Sequence, residues 1–131
     1  VNPELIIAAM LNQAGITALV GNRRALGQLP QNSQFPAIVY QVIDGQPQPG
    51  LNYSVDDLAM ARIQINPLAV TLAEVKNIHA AVRTGLDFKH HQTFAGKLVM
   101  SCRFDQLGPI DRDEEMGIWT QPADYMLRWY E

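Results

Sequence analysis

The sequence predicts an α+β fold: a small antiparallel sheet of about four strands with two helices on one face, in the order αββαββ. Three observations predict it. Two apolar-periodic stretches each open on a helix-start signal. Four stretches are rich in β-branched, aromatic or alternating residues. Their order along the chain is helix, strand, strand, helix, strand, strand. With 131 residues and no internal repeat or heptad run, the chain is expected to form a single domain, 1–131, large enough for a stable core without staples.

The first helix begins at Asn2-Pro3-Glu4, where Asn can cap, Pro suits the first helical position and Glu favours the positive end of the dipole. Ile7, Met10, Leu11, Ala14 and Ala18 follow at helical spacing. Gly15 is expected to break this run, and Gly21-Asn22 to end it. The second helix opens at Thr71-Leu72-Ala73-Glu74, which matches a capping box, with Val70 and Val75 placed for a hydrophobic staple. Leu72, Val75, Ile78, Val82 and Leu86 form its apolar stripe, and Gly85 is expected to cap its end.

Between the helices, residues 23–36 are rich in Gln, Asn, Gly and Pro and read as a loop. Residues 37–43 are dense in β-branched and aromatic side chains and read as the first strand, closed or bent at Asp44-Gly45. The prolines of 46–50 suit an extended connection or a hairpin end. Residues 58–66 alternate, with Ala59, Ala61, Ile63 and Ile65 on one face and Met60, Arg62, Gln64 and Asn66 on the other, until Pro67 stops the strand. After a polar link bearing His90 and His91, residues 97–105 set Leu98, Met100, Cys102 and Phe104 against Val99, Ser101 and Arg103. The closing strand region, 117–130, is interrupted at Pro122.

That closing region holds most of the aromatic surplus. Trp119, Tyr125, Trp129 and Tyr130 fall within thirteen residues. On a strand, Tyr125, Leu127 and Trp129 share one face, while Met126 and Tyr130 make the other largely apolar around Arg128. One small layer has difficulty burying both faces, so the surplus argues for a partner surface or a further layer. Tyr125, Trp129 and Tyr130 are therefore candidates for a contact between subunits, with core packing the competing use of Trp129.

Composition excludes several classes. A formal charge of −3, with Arg23-Arg24 the one adjacent basic pair, argues against sequence-specific nucleic-acid binding. No apolar run spans a bilayer, and the amino terminus lacks a signal-peptide pattern, so no membrane partner is expected. The single cysteine, Cys102, excludes an intrachain disulfide and reads as a buried thiol. His90 and His91 are adjacent and on a strand would point apart, and His79 borders the apolar stripe, so no metal or other cofactor is expected. No phosphate loop or nucleophile elbow occurs, and no enzyme is expected. The acidic run Asp111, Arg112, Asp113, Glu114 and Glu115 lacks an EF-hand's alternation and suits a solvated hairpin loop or an electrostatic docking loop.

Four blocks in order carry a resemblance: Ala18-Leu19-Val20-Gly21 with Arg23; Phe35-Pro36-Ala37-Ile38-Val39-Tyr40-Gln41 ending near Asp44-Gly45; Ala61-Arg62-Ile63-Gln64-Ile65-Asn66 leading into the Thr71 helix; and Glu115-Met116-Gly117-Ile118-Trp119 followed by Ala123-Asp124-Tyr125-Met126-Leu127-Arg128-Trp129-Tyr130. From Leu5 onward the chain resembles the tail-completion, or tail-terminator, proteins of long-tailed bacteriophages and prophages. It departs from them at Asn66-Pro67 and at Gln121-Pro122. The resemblance implies a structural virion protein made in the host bacterial cytoplasm. It would form a homo-hexameric ring at the head-proximal end of the tail, with the tail tube protein and the head-tail connector or neck protein as partners. Asp111 to Glu115 would then face another tail or neck component. A neck or head-completion adaptor is the alternative within that class. Outside it stands a small ligand-binding or enzyme domain using His90, His91 or Cys102.

Overall fold

The structure, a computed structural model, describes residues 3–47 and 58–130. Its elements run α1 (Pro3–Leu11), α2 (Ala14–Val20), β1 (Arg24–Leu26), β2 (Ala37–Pro47), β3 (Leu58–Ala69), α3 (Leu72–Leu86), β4 (Lys89–Phe94), β5 (Lys97–Leu107), β6 (Asp111–Asp113), β7 (Ile118–Thr120) and β8 (Ala123–Tyr130). The α+β class holds, but the sheet is larger than the sequence suggests. Eight strands take part among the described residues, six of them in the order β1-β2-β3-β8-β5-β4, with the β6–β7 hairpin joined to the end of β3. Every pairing is antiparallel except β1 with β2.

The strands expected from apolar pattern appear as β2, β3, β5 and the β7–β8 pair. The additional ones, β1, β4 and β6, have little apolar pattern to read. The sequence of β4 is Lys-His-His-Gln-Thr-Phe, and it lies at the sheet's edge, where most of its side chains meet solvent. All three residues of β6 are exposed.

Three helices form the layer over one sheet face. Ile6, Ile7, Met10 and Leu11 of α1, Ile16 and Val20 of α2, and Val75, Ile78, Val82 and Leu86 of α3 are buried. They meet Ala59, Ala61, Ile63 and Ile65 of β3 and Ala123, Tyr125, Leu127 and Trp129 of β8. The strand β8 is central, paired along its length to both β3 and β5. No single helix among the described residues is long and apolar enough to cross a membrane; α1 and α2 meet at a bend of 79°.

Local chemistry explains where the details depart from sequence pattern. The first helix breaks at Asn12-Gln13 rather than at Gly15, and the break rotates the buried face, leaving Ala14 and Ala18 exposed. Gln13 makes this corner. Its side-chain amide donates to the carbonyls of Met10 and Gly85, both at 2.8 Å. Gly85 lies inside α3 and is not its cap. A β-carbon there would sit 3.1 Å from Ile16 Cδ1 and 3.3 Å from Gln13 Nε2, so glycine lets α2 approach α3. The helix instead ends at Asp87, whose carboxylate accepts from Arg83 Nε at 3.2 Å and from the Phe104 backbone at 2.8 Å. At its start, Thr71 Oγ1 accepts from the Glu74 backbone as expected, while Val70 is 57% exposed and forms no staple. The Asn2 cap and residues 48–50 of the proline-rich connection lie outside the described residues.

Pro67 does not stop β3, which continues to Ala69. Ile38 opposite it donates to Arg23, so this β2–β3 pair is not hydrogen-bonded and Pro67's nitrogen faces away from β2. On that other side β3 is passing from β8 to β7, and no registered partner faces Pro67. The missing donor therefore breaks no ladder bond. In β5, register shifts against β8 at Met100 and again at Asp105. One additional residue reverses the alternation. Val99 is buried beside Cys102, and Leu98 is 40% exposed, the opposite of the expected pairing of faces.

Trp129 is 3% exposed and sits at the centre of this packing. Trp129→Ala is expected to destabilise the protomer by about 3–5 kcal/mol, measured as a lowered urea midpoint at unchanged m-value.

Candidate functional site

Helices cover one face of the sheet and leave the other uncovered among the described residues, so the second face is the largest candidate surface. Cross-strand register writes its chemistry in rows. Gln41, Gln64, Asp124 and Gln106 lie side by side across β2, β3, β8 and β5; next to them come Arg62, Met126 and Arg103, then Met60, Arg128 and Ser101. The first row is linked by hydrogen bonds, Gln41 Nε2 to Gln64 Oε1 at 2.9 Å and Gln106 Nε2 to Asp124 Oδ2 at 3.2 Å. Arg62 joins the rows by pairing with Asp105 at 2.6 Å and Asp124 at 3.1 Å. The Asp105 hydrogen bond is the main cause holding the Arg62 guanidinium even more firmly protonated, opposed by its partial desolvation. The face is thus polar at its middle, with methionines and Tyr130 towards one side.

The aromatic candidates of the closing strand separate by parity. Tyr125 is 1% exposed, packs edge-to-face on Phe104 at 5.6 Å, and has its phenol pushed up by burial. Trp129 is equally internal, and its Nε1 is buried with no hydrogen-bond partner among the described residues. Tyr130, on the opposite face, is 38% exposed. Of the three, Tyr130 is the one a neighbour can reach on the folded protomer.

Asp111, Arg112, Asp113, Glu114 and Glu115 form an ordered hairpin tip rather than a bare loop. Arg112 pairs with Glu114 at 2.9 Å and lies over the Trp119 ring at 5.7 Å, and Asp113 Oδ1 accepts from the backbones of Glu115 and Met116. All five remain exposed. They lie on an extension of the β5–β8 ribbon that turns at Gly108 and Gln121-Pro122. At this turn Gly108 donates to Pro122 at 2.7 Å, and a β-carbon on Gly108 would stand 2.7 Å from Pro122 Cγ. Gln121 is buried there. Its side chain accepts from Lys76 Nζ at 2.6 Å and donates to Gly108 at 2.9 Å, and its carbonyl takes His79 Nε2 at 2.7 Å. These contacts bolt the arm to α3. Pro122 announced the interruption in sequence, but nothing there tied it to Lys76 and His79.

The remaining candidates for chemistry are scattered. Cys102 is fully buried, and desolvation, with Asp87 adding to it, pushes its thiol up to about 12. His90 and His91 lie on β4, where His91 adopts a φ of 53°, and their rings stand edge-to-face at 6.0 Å rather than pointing apart. Among the described residues no three His, Cys, Asp or Glu side chains converge as a metal-holding group.

His79 supplies a pH dependence. Burial lowers its pKa below the ordinary 6.5; the Gln121 hydrogen bond opposes the shift and the Lys76 charge adds to it. The folded state then favours neutral imidazole, so this contribution to stability is complete above pH 6.5 and is lost as pH falls through the folded pKa. His79→Asn is expected to flatten the decline of the urea midpoint just below pH 6.5, measured in a pH series beside the unsubstituted chain.

A sequence-family model for tail completion protein gp17 matches residues 4–115. Compared with curated proteins, the chain finds no match. Among solved structures it is similar in fold to a chain of the virion of a native gene transfer agent particle, with a TM-score of 0.68 and 14% sequence identity, covering 98% of this chain and 93% of that one. The family match covers most of the sequence. The chain belongs to the tail completion protein gp17 family, structural proteins of phage tails.

Proposed function

We propose that this protein closes a homo-hexameric ring at the head-proximal end of the tail tube, where it stops tube polymerisation and helps join the tail to the head connector. The family match over residues 4–115 carries the reading. The fold supports it in three ways. One face of the sheet has no covering layer among the described residues, β4 presents an outer edge, and the acidic strand and tip of the β6–β7 hairpin are exposed. A closed ring repeats one heterologous contact, which needs two different surfaces on each protomer.

Within this reading the closing strand faces a neighbour through Tyr130, with Tyr125 and Trp129 holding that strand in place from the core side. The segment Asp111, Arg112, Asp113, Glu114 and Glu115 is a docking element steered by charge. The role is one of assembly, with no catalytic step and no cofactor.

Native mass spectrometry of the purified chain is expected to give a six-subunit species. A ligand-bound monomer or dimer would instead favour a small binding domain. Replacing Asp113, Glu114 and Glu115 with Asn, Gln and Gln is expected to leave the melting curve within a degree or two but reduce incorporation into tails, most at moderate salt. Unchanged incorporation across a salt series would remove the docking role.

A further inference from the structure

The sheet face away from the helices deepens into a cleft where β2 and β3 meet the β6–β7 hairpin. Val39, Asn66 and Leu68 form its floor, continuing on that face the rows that hold Gln41 and Gln64. One wall is the loop after β1, through Leu29 and Pro30, and the other is Met116 at the hairpin turn. The open volume is about 580 Å³, within the ~300–1,000 Å³ of ligand pockets.

Bonds within the chain hold both walls. Gly27 and Gln28 donate to the Tyr40 and Leu26 carbonyls at 2.8 and 2.9 Å, and the Ser33 hydroxyl donates to the Pro30 carbonyl. At the hairpin, Asp113 Oδ1 accepts from the Met116 nitrogen at 3.2 Å, and the Asp113 carbonyl accepts from Gly117 at 2.7 Å. The Thr120 hydroxyl fixes Asn66 in the floor. The cleft is formed on the folded protomer before anything enters it.

The cleft and its border differ in charge. None of the lining residues is charged, and residues 25–43 and 63–73, which supply the floor and the loop wall, contain no Asp, Glu, Lys or Arg. The hairpin wall is the opposite. Asp111, Asp113, Glu114 and Glu115 exceed Arg112 by three charges, as large a surplus as the −3 of the whole chain. The Glu114 side chain is 84% exposed even while paired with Arg112. Met116, 62% exposed, stands between the neutral cleft and this acidic tip.

These two properties set the chemistry of an occupant. Leu29, Pro30, Leu68 and Met116 favour a large apolar side chain, as an anchor fills a pocket at the centre of an interface. The adjoining carboxylates favour Lys or Arg beside that anchor and oppose an acidic segment. A second copy of this chain carries the same −3, so long-range attraction to this site favours a partner of different sequence. We infer that the cleft anchors a cationic segment of another polypeptide, which seats one large apolar side chain between Leu29 and Met116 and sets its basic residues against Asp113, Glu114 and Glu115. This rests on the docking role proposed above for Asp111 to Glu115, and it adds the place where the partner is gripped.

Three labelled peptides test the chemistry on the full chain: fluorescein-Lys-Lys-Trp-Lys-Lys-amide, the same peptide with Gly for Trp, and the same peptide with Glu for every Lys. The first is expected to bind about tenfold or more tighter than either other by fluorescence anisotropy. Met116→Ser with Leu68→Gln is expected to remove the preference for Trp, with circular dichroism unchanged. Equal affinity for the three peptides, or a preference for Trp that survives those two substitutions, overturns the site.

Incorporation into tails separates this inference from the reading beneath it. The Met116→Ser, Leu68→Gln chain is expected to be lost from purified tails while native mass spectrometry still gives the species formed by the unsubstituted chain. Normal incorporation of that chain, with loss of a Glu114→Gln, Glu115→Gln chain, overturns the cleft and leaves docking by charge standing. Normal incorporation of both overturns both. Loss of the assembled species from the mass spectrum of the cleft variant makes the occupant a second copy and overturns the cationic partner.

Discussion

The structure depends on a single asymmetry: β8 is paired on both edges and buried on one face. Its Ala123, Tyr125, Leu127 and Trp129 supply the middle of the core, while Met126, Arg128 and Tyr130 belong to the uncovered face. Strands β3 and β5 take their register from it, and the helices take their seat on the side it makes apolar. Burial of one sheet face under helices is the ordinary solution for an α+β layer. Here the other face has its own order, in which Arg62 ties a row of amides to two carboxylates. Such a network makes a face water-compatible without making it featureless. The face therefore carries a defined polar pattern rather than a bare apolar one.

How much of this the sequence disclosed follows from where each signal originates. Alternation over 58–66 named the inward and outward residues of β3 correctly, because that strand pairs without irregularity along β8 and its two faces meet very different surroundings. The Thr71 cap and the stripe from Val75 to Leu86 were equally legible, being local chemistry. What stayed hidden is set by tertiary partners. Gly85 looks like a terminus until Gln13 arrives from another helix. Pro67 looks like a stop until its neighbours show that its nitrogen faces no ladder partner. Leu98 and Val99 exchange faces because β5 carries an additional residue at Met100, which periodicity does not register. Edge strands such as β4 escaped since water, rather than core, surrounds them.

The same division applies to the candidate surfaces. Tyr125, Trp129 and Tyr130 are one cluster in sequence, yet strand parity sends two inward and one outward. The acidic run was visible at once, but its setting was not. It is the tip of an arm whose base is fixed by a buried glutamine, a histidine and a glycine too close to Pro122 to carry a side chain. An arm held at its root presents its tip at a fixed place. Rigid presentation suits a structural protein of a phage tail.

The sheet stays open until its central strand, β8, is made. A ribosome releases β3 and then β5 before the strand that lies between them, so two halves of one sheet wait side by side with their inner edges unsatisfied. Until residues 123–130 emerge, each half is a template open to any extended chain nearby, including another nascent copy. Pairing with another chain before that strand is in place is thus a hazard built into the topology. The aromatic strand that closes the sheet is also the step that ends that exposure.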